Sequence, residues 1–535
     1  MKISEWIYRN VVYILAALLC CGCVNMEEDL VETESGPKPI TMVVSLRIDQ
    51  EALNGGLRAT TGTDFKGTTA ESEINTLTLF ITKINGGKEE VEGHKTISKP
   101  DINQLLRFEI PGVTGYKQFY LGANMTDAQI AAFTGDKSEY TLPETPASGY
   151  ANTHQLMDIN YEGNDGAGSN IMMTSRITSG GQQKILVKTG EITIDKPVAL
   201  ERVVSKTLLT CTMTDATHIK VQNDQGWAKL ENVRYSGNVF NRKLYYFPQA
   251  DGSTGLKDSN YEIAKFITKA STGNYVIKNE TEYKNNFLNF DAFKLVEELT
   301  ASTCKPYHQA IKYDSDRLKT NSPTRYTEGL FFPENRVKND LSRITAISSY
   351  TEEETSAIIH RLVSTHLLVA VKYVPNKVWH NVANSLKEIT VTMENEMLNT
   401  YLPAKTEVLE GLNRSYRKGT FWYYDKKYYT LEGLQLFLEI EKSKPDPKVT
   451  RSEIERFDGG WGFYFSFIDG KANANNVIDY EGVQEWGLTR NHYYILNVTR
   501  LIPPGSSTPG SRIIKIPTER VDWINKGNSD VDVVP

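Results

Sequence analysis

A mostly β chain in two domains is what the 535-residue sequence predicts, and three observations predict it. The length exceeds what one hydrophobic core fills. β-branched and aromatic residues cluster in short runs between Gly, Pro and Asn turns. Helical periodicity is confined to a few short pieces, chiefly 127–133, 289–299 and 431–442. Apolar residues make up 39% and charged residues 24%, with a formal charge of −6, which describes a folded body rather than a disordered tail. With no basic excess, nucleic acid is not an expected partner.

Residues 1–23 read as an export signal. Lys2 and Arg9 supply a positive start, 11–19 is an apolar run too short to span a bilayer, and Leu18-Leu19-Cys20-Cys21-Gly22-Cys23 closes it. This pattern suits a lipoprotein signal acylated at Cys23, which directly follows Gly22 and precedes a polar sequence; Cys20 and Cys21 then leave with the peptide. The plainer reading is a secretory signal whose cysteines pack as apolar residues. Only Cys211 and Cys304 remain beyond it, at a separation that fixes no pairing, so two buried thiols are expected rather than a disulfide framework.

In the body, strands are expected at 74–81, 184–188, 192–194, 198–212 and 387–393. A boundary at 194–198 divides a first β domain, 59–195, from a larger second one, 196–502, whose polar stretch 251–340 reads as insertions over its surface.

The ends are the most informative regions. Ile40, Met42, Val44, Leu46 and Ile48 are apolar at every second position, with Thr41, Ser45 and Arg47 between them, so this strand has one face made for a core. Residues 50–62 then form a Gly-flanked stretch with Arg58 as its single basic residue, either a solvated charge or a site for a protease that cuts before Ala59. At the other end, 491–502 reads as a last full strand and 503–510 as a Pro/Gly/Ser linker. Beyond the linker, Ile514, Ile516, Val521, Trp523, Val531 and Val533 repeat the alternating pattern. A leashed amphipathic strand needs a sheet to join, its own or a neighbour's.

No catalytic, cofactor or metal constellation emerges. Asp158-Ile159-Asn160-Tyr161-Glu162-Gly163 begins like a calcium loop, but Ser169 stands where a bidentate Glu is required, so a plain turn is expected. His360 and His366 lack metal-ligand spacing, and all eight histidines read as structural or surface residues. The runs Phe421-Trp422-Tyr423-Tyr424, Tyr428-Tyr429 and Trp461-Gly462-Phe463-Tyr464-Phe465 suit either a sugar-binding platform or, more commonly, a β core. A monomeric surface glycan-binding lipoprotein is therefore the alternative function.

The lipoprotein signal, the early strand followed by Arg58-Ala59, the segments 115–124, 170–175 and 198–206, and Arg490-Asn491-His492-Tyr493-Tyr494 together resemble the fimbrillins of Bacteroidales, in the stalk-subunit form of the Porphyromonas minor fimbria. The resemblance runs along nearly the whole chain, poorly in the middle insertions. It implies two transthyretin-like or Ig-like β-sandwich domains and a structural, non-enzymatic role in adhesion or biofilm formation. It also implies that Glu27-Glu28-Asp29 is a surface-export tag and that the outer membrane holds the precursor by its lipid. A trypsin-like or Arg-specific protease is then expected to cut after Arg58, removing the pro-segment 24–58 with its first strand. The opened groove accepts the terminal segment, within 503–535, of an identical subunit, and tip and anchor subunits complete the fibre.

Overall fold

The computed structural model describes residues 39–49, 70–85, 88–135, 139–141, 171–177, 184–211, 218–220, 226–241, 243–247, 249–250, 256–257, 267–269, 275–288, 309–310, 312–313, 329–333, 335–338, 362–392, 394–409, 412–446, 449–450, 453–468, 485–488, 490–498, 504–507 and 518–522. Strands dominate them, so the chain is mostly β. The strands of the first part are β1 (Pro39–Leu46), β2 (Thr76–Asn85), β3 (Lys88–Ser98), β4 (Leu106–Val113), β5 (Gly115–Ala123), β6 (Glu139–Thr141), β7 (Met173–Ile177), β8 (Ile185–Val187), β9 (Glu191–Thr193), β10 (Glu201–Arg202) and β11 (Val204–Cys211).

Two sheets share the first core. One has the order β4-β1-β9, the other β10-β7-β5-β2-β3 with β8 also on β5. Alternation explains the arrangement: Leu77, Leu79 and Ile81 of β2 and Phe119 and Leu121 of β5 meet Met42, Val44 and Leu46 of β1 and Phe108 and Ile110 of β4 in one buried cluster. The helix Asp127–Thr134 starts where expected because Thr126 and Gln129 form a capping box. Its Phe133 packs edge-on to Phe80, with centroids 4.9 Å apart, and onto Phe247 at 4.8 Å.

A second cluster takes over along β11, which contributes Val204 to the first core and Leu209 and Cys211 to the second. β11 runs parallel to His492–Val498 on one side and antiparallel to Leu330–Pro333 on the other. A facing sheet of Gly226–Asn238, His366–Pro375 and Trp461–Phe467 completes this core. A further five-stranded sheet, including Lys377–Val382 and Phe421–Tyr424, is covered by the helix Leu431–Lys442, capped by Thr430.

The structure corrects one expectation. Within the stretch read as surface insertions, Leu330–Pro333 is a fully buried strand, and buried Asn335 donates to the Val239 and Val363 carbonyls at 3.2 and 3.0 Å. Polar flanks hid a short core strand whose four residues carry too little periodicity to stand out. The expected helix at 289–299 lies outside the described residues.

Candidate functional site

β1 is the middle strand of its sheet, with a neighbour on either edge. Against β4 it is antiparallel in the register Met42↔Ile110, Val44↔Phe108 and Leu46↔Leu106; against β9 it is parallel, Val44 facing Ile192. The Val43 amide donates to the Gly190 carbonyl at 2.6 Å, and the Ile194 amide to the Ser45 carbonyl at 2.9 Å. Past the strand, the Val198 amide donates to the Arg47 carbonyl and the Asp49 amide to that of Val198, at 2.8 and 2.9 Å. Met42, Val44 and Leu46 are 0% exposed and Ile48 is 4% exposed, while Ile40 is half-buried at the rim. Each fully buried side chain of this size contributes roughly 1.5–3 kcal/mol. Without β1, β4 and β9 would flank a gap of about two strand spacings, roughly 9–10 Å, lined by apolar side chains and open backbone groups.

The walls of this slot are shaped for a close-packed strand. A Cβ on Gly190 would stand 2.7 Å from the Thr41 carbonyl oxygen, and one on Gly112 would overlap the Met42 methyl. At the Pro39 end the ladder is closed off. The Val113 amide donates to Glu92 Oε1 at 2.8 Å, and the other carboxylate oxygen of Glu92 pairs with buried Lys117 at 2.6 Å.

Downstream, where the described chain resumes, the turn Ala70–Ser72 is held by a buried charged cluster. Arg202 Nε donates to the Glu71 carbonyl at 3.0 Å, Nη2 to Ser72 Oγ at 2.9 Å, and Nη1 to Asn491 Oδ1 at 3.2 Å. Lys206 donates to the Glu71 carboxylate at 2.6 Å, its ammonium lying 5.3 and 5.2 Å from the ring centroids of Phe331 and Tyr493. Burial lowers the Arg202 pKa to about 10, opposed by the charge of Glu71, so the guanidinium stays protonated at neutral pH. Sequence reasoning assigned these residues no role; the available signal was two cations, Arg202 and Lys206, at strand-face spacing inside the expected strand 198–212.

Of the other residues singled out in the sequence, Cys23, Arg58, Ala59, Ile514, Ile516, Trp523, Val531 and Val533 lie outside the described residues, as do Cys304, His360 and 158–169. Val521 lies in the short strand Thr518–Asp522, which pairs antiparallel with the same chain's His492–Val498, Val521 opposite Tyr493. The structure thus places that piece on its own sheet and not beside β1. Among the described residues, no group of three or more His, Cys, Asp or Glu is placed to hold a metal ion, and no helix is long and apolar enough to cross a membrane. His366 is buried, its Nδ1 3.0 Å from the Ser364 carbonyl. Within the aromatic runs, Phe421, Trp422, Tyr428, Tyr429, Trp461, Phe463 and Tyr464 are buried and Tyr423 and Tyr424 half-buried.

No family model matches the chain, and no curated protein matches it in sequence. Solved structures do. A fimbrilin from Porphyromonas gingivalis is 13% identical, covering 92% of this chain and 97% of its own, with a TM-score of 0.36. A candidate cell adhesion protein from Parabacteroides distasonis is 11% identical over 90% of this chain and 97% of its own, with a TM-score of 0.37. The tip fimbrial protein Mfa3 from Porphyromonas gingivalis, C-terminally truncated, is 10% identical over 91% of this chain and 100% of its own, with a TM-score of 0.30.

Proposed function

We propose that this chain is a structural subunit of a cell-surface fimbria. It is exported as a lipoprotein acylated on Cys23, cut between Arg58 and Ala59, and polymerised when the terminal segment of one copy fills the slot that β1 leaves in the next. On this reading the domains are 59–195 and 196–502, with Val198–Val204, Tyr246, Phe247 and Phe331 of the second packing into the first apolar cluster. The role is structural rather than enzymatic, in adhesion or biofilm formation, with tip and anchor subunits at the ends of the polymer and the outer membrane as the site of the lipidated precursor.

One observation carries this reading. The first described strand of the chain is a central strand, bonded on both edges and buried along one face, and the next segment in sequence contains Arg58. Central strands are ordinarily secured by the chain on both sides. Here a single cut frees one end, and release leaves a slot that only another amphipathic strand refills. Val521 and its alternating neighbours supply such a strand at the far end of the chain, joined through a Pro/Gly/Ser linker. The burial of Phe421, Trp422, Tyr428, Tyr429, Phe463 and Tyr464 favours the core reading of the aromatic runs over the sugar platform on which the glycan-binding alternative rested.

The test is assembly of wild-type chain and Arg58→Ala in a host that supplies the Arg-specific protease. Unboiled gels are expected to show a ladder for the wild type, its mature N-terminus at Ala59, and a single folded monomer band for the variant. A ladder from the variant overturns the proposal.

A further inference from the structure

Release of β1 would take away more than a strand. Among the described residues, β4 pairs with β1 and with no other strand, so the wall of the emptied slot must be held by something else. Phe108 and Ile110, both 0% exposed, hold the middle of β4 through the core. The mouth of the slot has no such hold. Gly112 and Val113 lie there opposite Ile40 and Pro39; Gly112 has no side chain and Val113 is half-buried.

The alternation of the ladder fixes which way this end faces. Val43 and Ser45 bond toward β9, so Met42 and Val44 bond toward β4, where Ile110 and Phe108 meet them. Pro111 and Val113 therefore turn their backbone outward, and a proline without an N–H is tolerated within the strand. A β-bulge in β3 meets them there. The register of β2 with β3 jumps from Ile81↔Gly93 to Thr82↔Val91, which leaves Glu92 as the extra residue. Glu92 Oε1 accepts the Val113 amide at 2.8 Å, and Oε2 lies 2.6 Å from the Lys117 ammonium, the two side chains being 9% and 2% exposed. Gly93 backs Pro111 so closely that a Cβ there would stand 3.1 Å from the Pro111 carbonyl oxygen. β3 and β5, which carry Glu92 and Lys117, belong to the sheet that β1 does not join.

We propose that Glu92 is a positioning residue for strand exchange: anchored on the opposite sheet, it braces Gly112 and Val113 at the mouth of the slot, so that an incoming strand meets a preformed wall once β1 has gone. This inference rests on the release of β1 proposed above. The Val113 bond is the brace, and Lys117 orients the carboxylate that makes it.

The experiment uses full-length chain with a site-specific protease sequence placed at 57–60. After the cut, the released pro-segment is removed by gel filtration, and the association rate of a fluorescent peptide of residues 39–49 is measured. Wild type is compared with Glu92→Ala and with Glu92→Gln, each variant also carrying Lys117→Met so that no cation is left buried without a partner. The Gln side-chain oxygen still accepts from Val113. Wild type and the Gln variant are expected to capture peptide at rates within about threefold of each other, and the Ala variant about tenfold more slowly, as a wall in place about a tenth of the time requires. Denaturant unfolding of the uncut chains checks that the two variants are equally stable. Should the Ala variant fail to fold, Val113→Pro removes the amide donor from the other side of the same bond and is expected to slow capture alike. Capture by the Ala or Pro variant at the wild-type rate overturns the brace, as does a Gln variant as slow as the Ala one. A pro-segment that never leaves cut wild type overturns strand release itself, and the brace with it.

Discussion

The two terminal strands of the described chain have opposite situations. β1 lies between β4 and β9 and buries Met42, Val44, Leu46 and Ile48 almost completely. Among the described residues, Thr518–Asp522 lies at the end of its sheet, paired only with His492–Val498. A central strand cannot be withdrawn without opening a core, whereas an edge strand peels away at the cost of one ladder. On the proposed assembly, a subunit built this way would keep its acceptor site filled until the chain is cut and carry its donor where it can be lent without unfolding. The joint so formed would resist dissociation for kinetic reasons, since the inserted strand would leave only when the acceptor opens.

The sharpest break of this comparison is a matched pair of charges. Val44→Asp places a carboxylate at a fully buried position opposite Phe108, with no partner, and is expected to destabilise the precursor by several kcal/mol. Val521→Asp, in the edge strand, is expected to cost less than about 1 kcal/mol in the monomer while blocking growth of the polymer. Denaturant unfolding of the two variants measures both. Equal losses would show that the tail is as integral to its sheet as β1 is to its own.

A smaller effect on the monomer is expected from deleting residues 511–535. The edge ladder to His492–Val498 goes, but β11 still secures that strand from its other side. Both cores should remain folded, and a protease site at Arg58 should still be cut, while chain growth stops. Loss of the second core on deletion, seen as collapse of protection at Val204–Cys211, would mean that the tail completes its own sheet and is not available to lend.

Much of the fold was legible because its signals are local. The helix at Asp127 announces itself by Thr126 and Gln129, the helix at Leu431 by Thr430, and β1 by Ile40, Met42, Val44 and Leu46 at every second position. What could not be read was partnership. The parallel pairing of β11 with His492–Val498 joins segments some 280 residues apart, and nothing in either sequence names the other. Leu330–Pro333 is too short for its period to show. The buried charged cluster was concealed by distance: only the arrival of Glu71 and Asn491 from distant segments makes the burial of Arg202 and Lys206 tolerable.

The most local expected effect probes the wall of the slot. Gly190 lies just before β9, and its carbonyl accepts the Val43 amide. An added Cβ would stand 2.7 Å from the Thr41 carbonyl oxygen, and because that oxygen is backbone it cannot swing aside as a side-chain end would. Either β9 shifts outward or β1 slides, and both lengthen the Val43 hydrogen bond. Gly190→Ala should therefore cost about 1–2 kcal/mol, the range for one strained backbone contact and one weakened hydrogen bond. Gly115 offers the contrast within the same fold: a Cβ there meets nothing within 4 Å, and its cost is conformational, from a φ of 125°. Hydrogen exchange separates the two. Gly190→Ala is expected to speed exchange at Val43 and its neighbours in β1 while leaving β5 unchanged, and Gly115→Ala to act on β5 alone. If β1 exchange were unmoved by Gly190→Ala, β9 would be a compliant neighbour rather than a fixed wall, and the width of the slot would be set from the β4 side, where Gly112 packs beneath Met42.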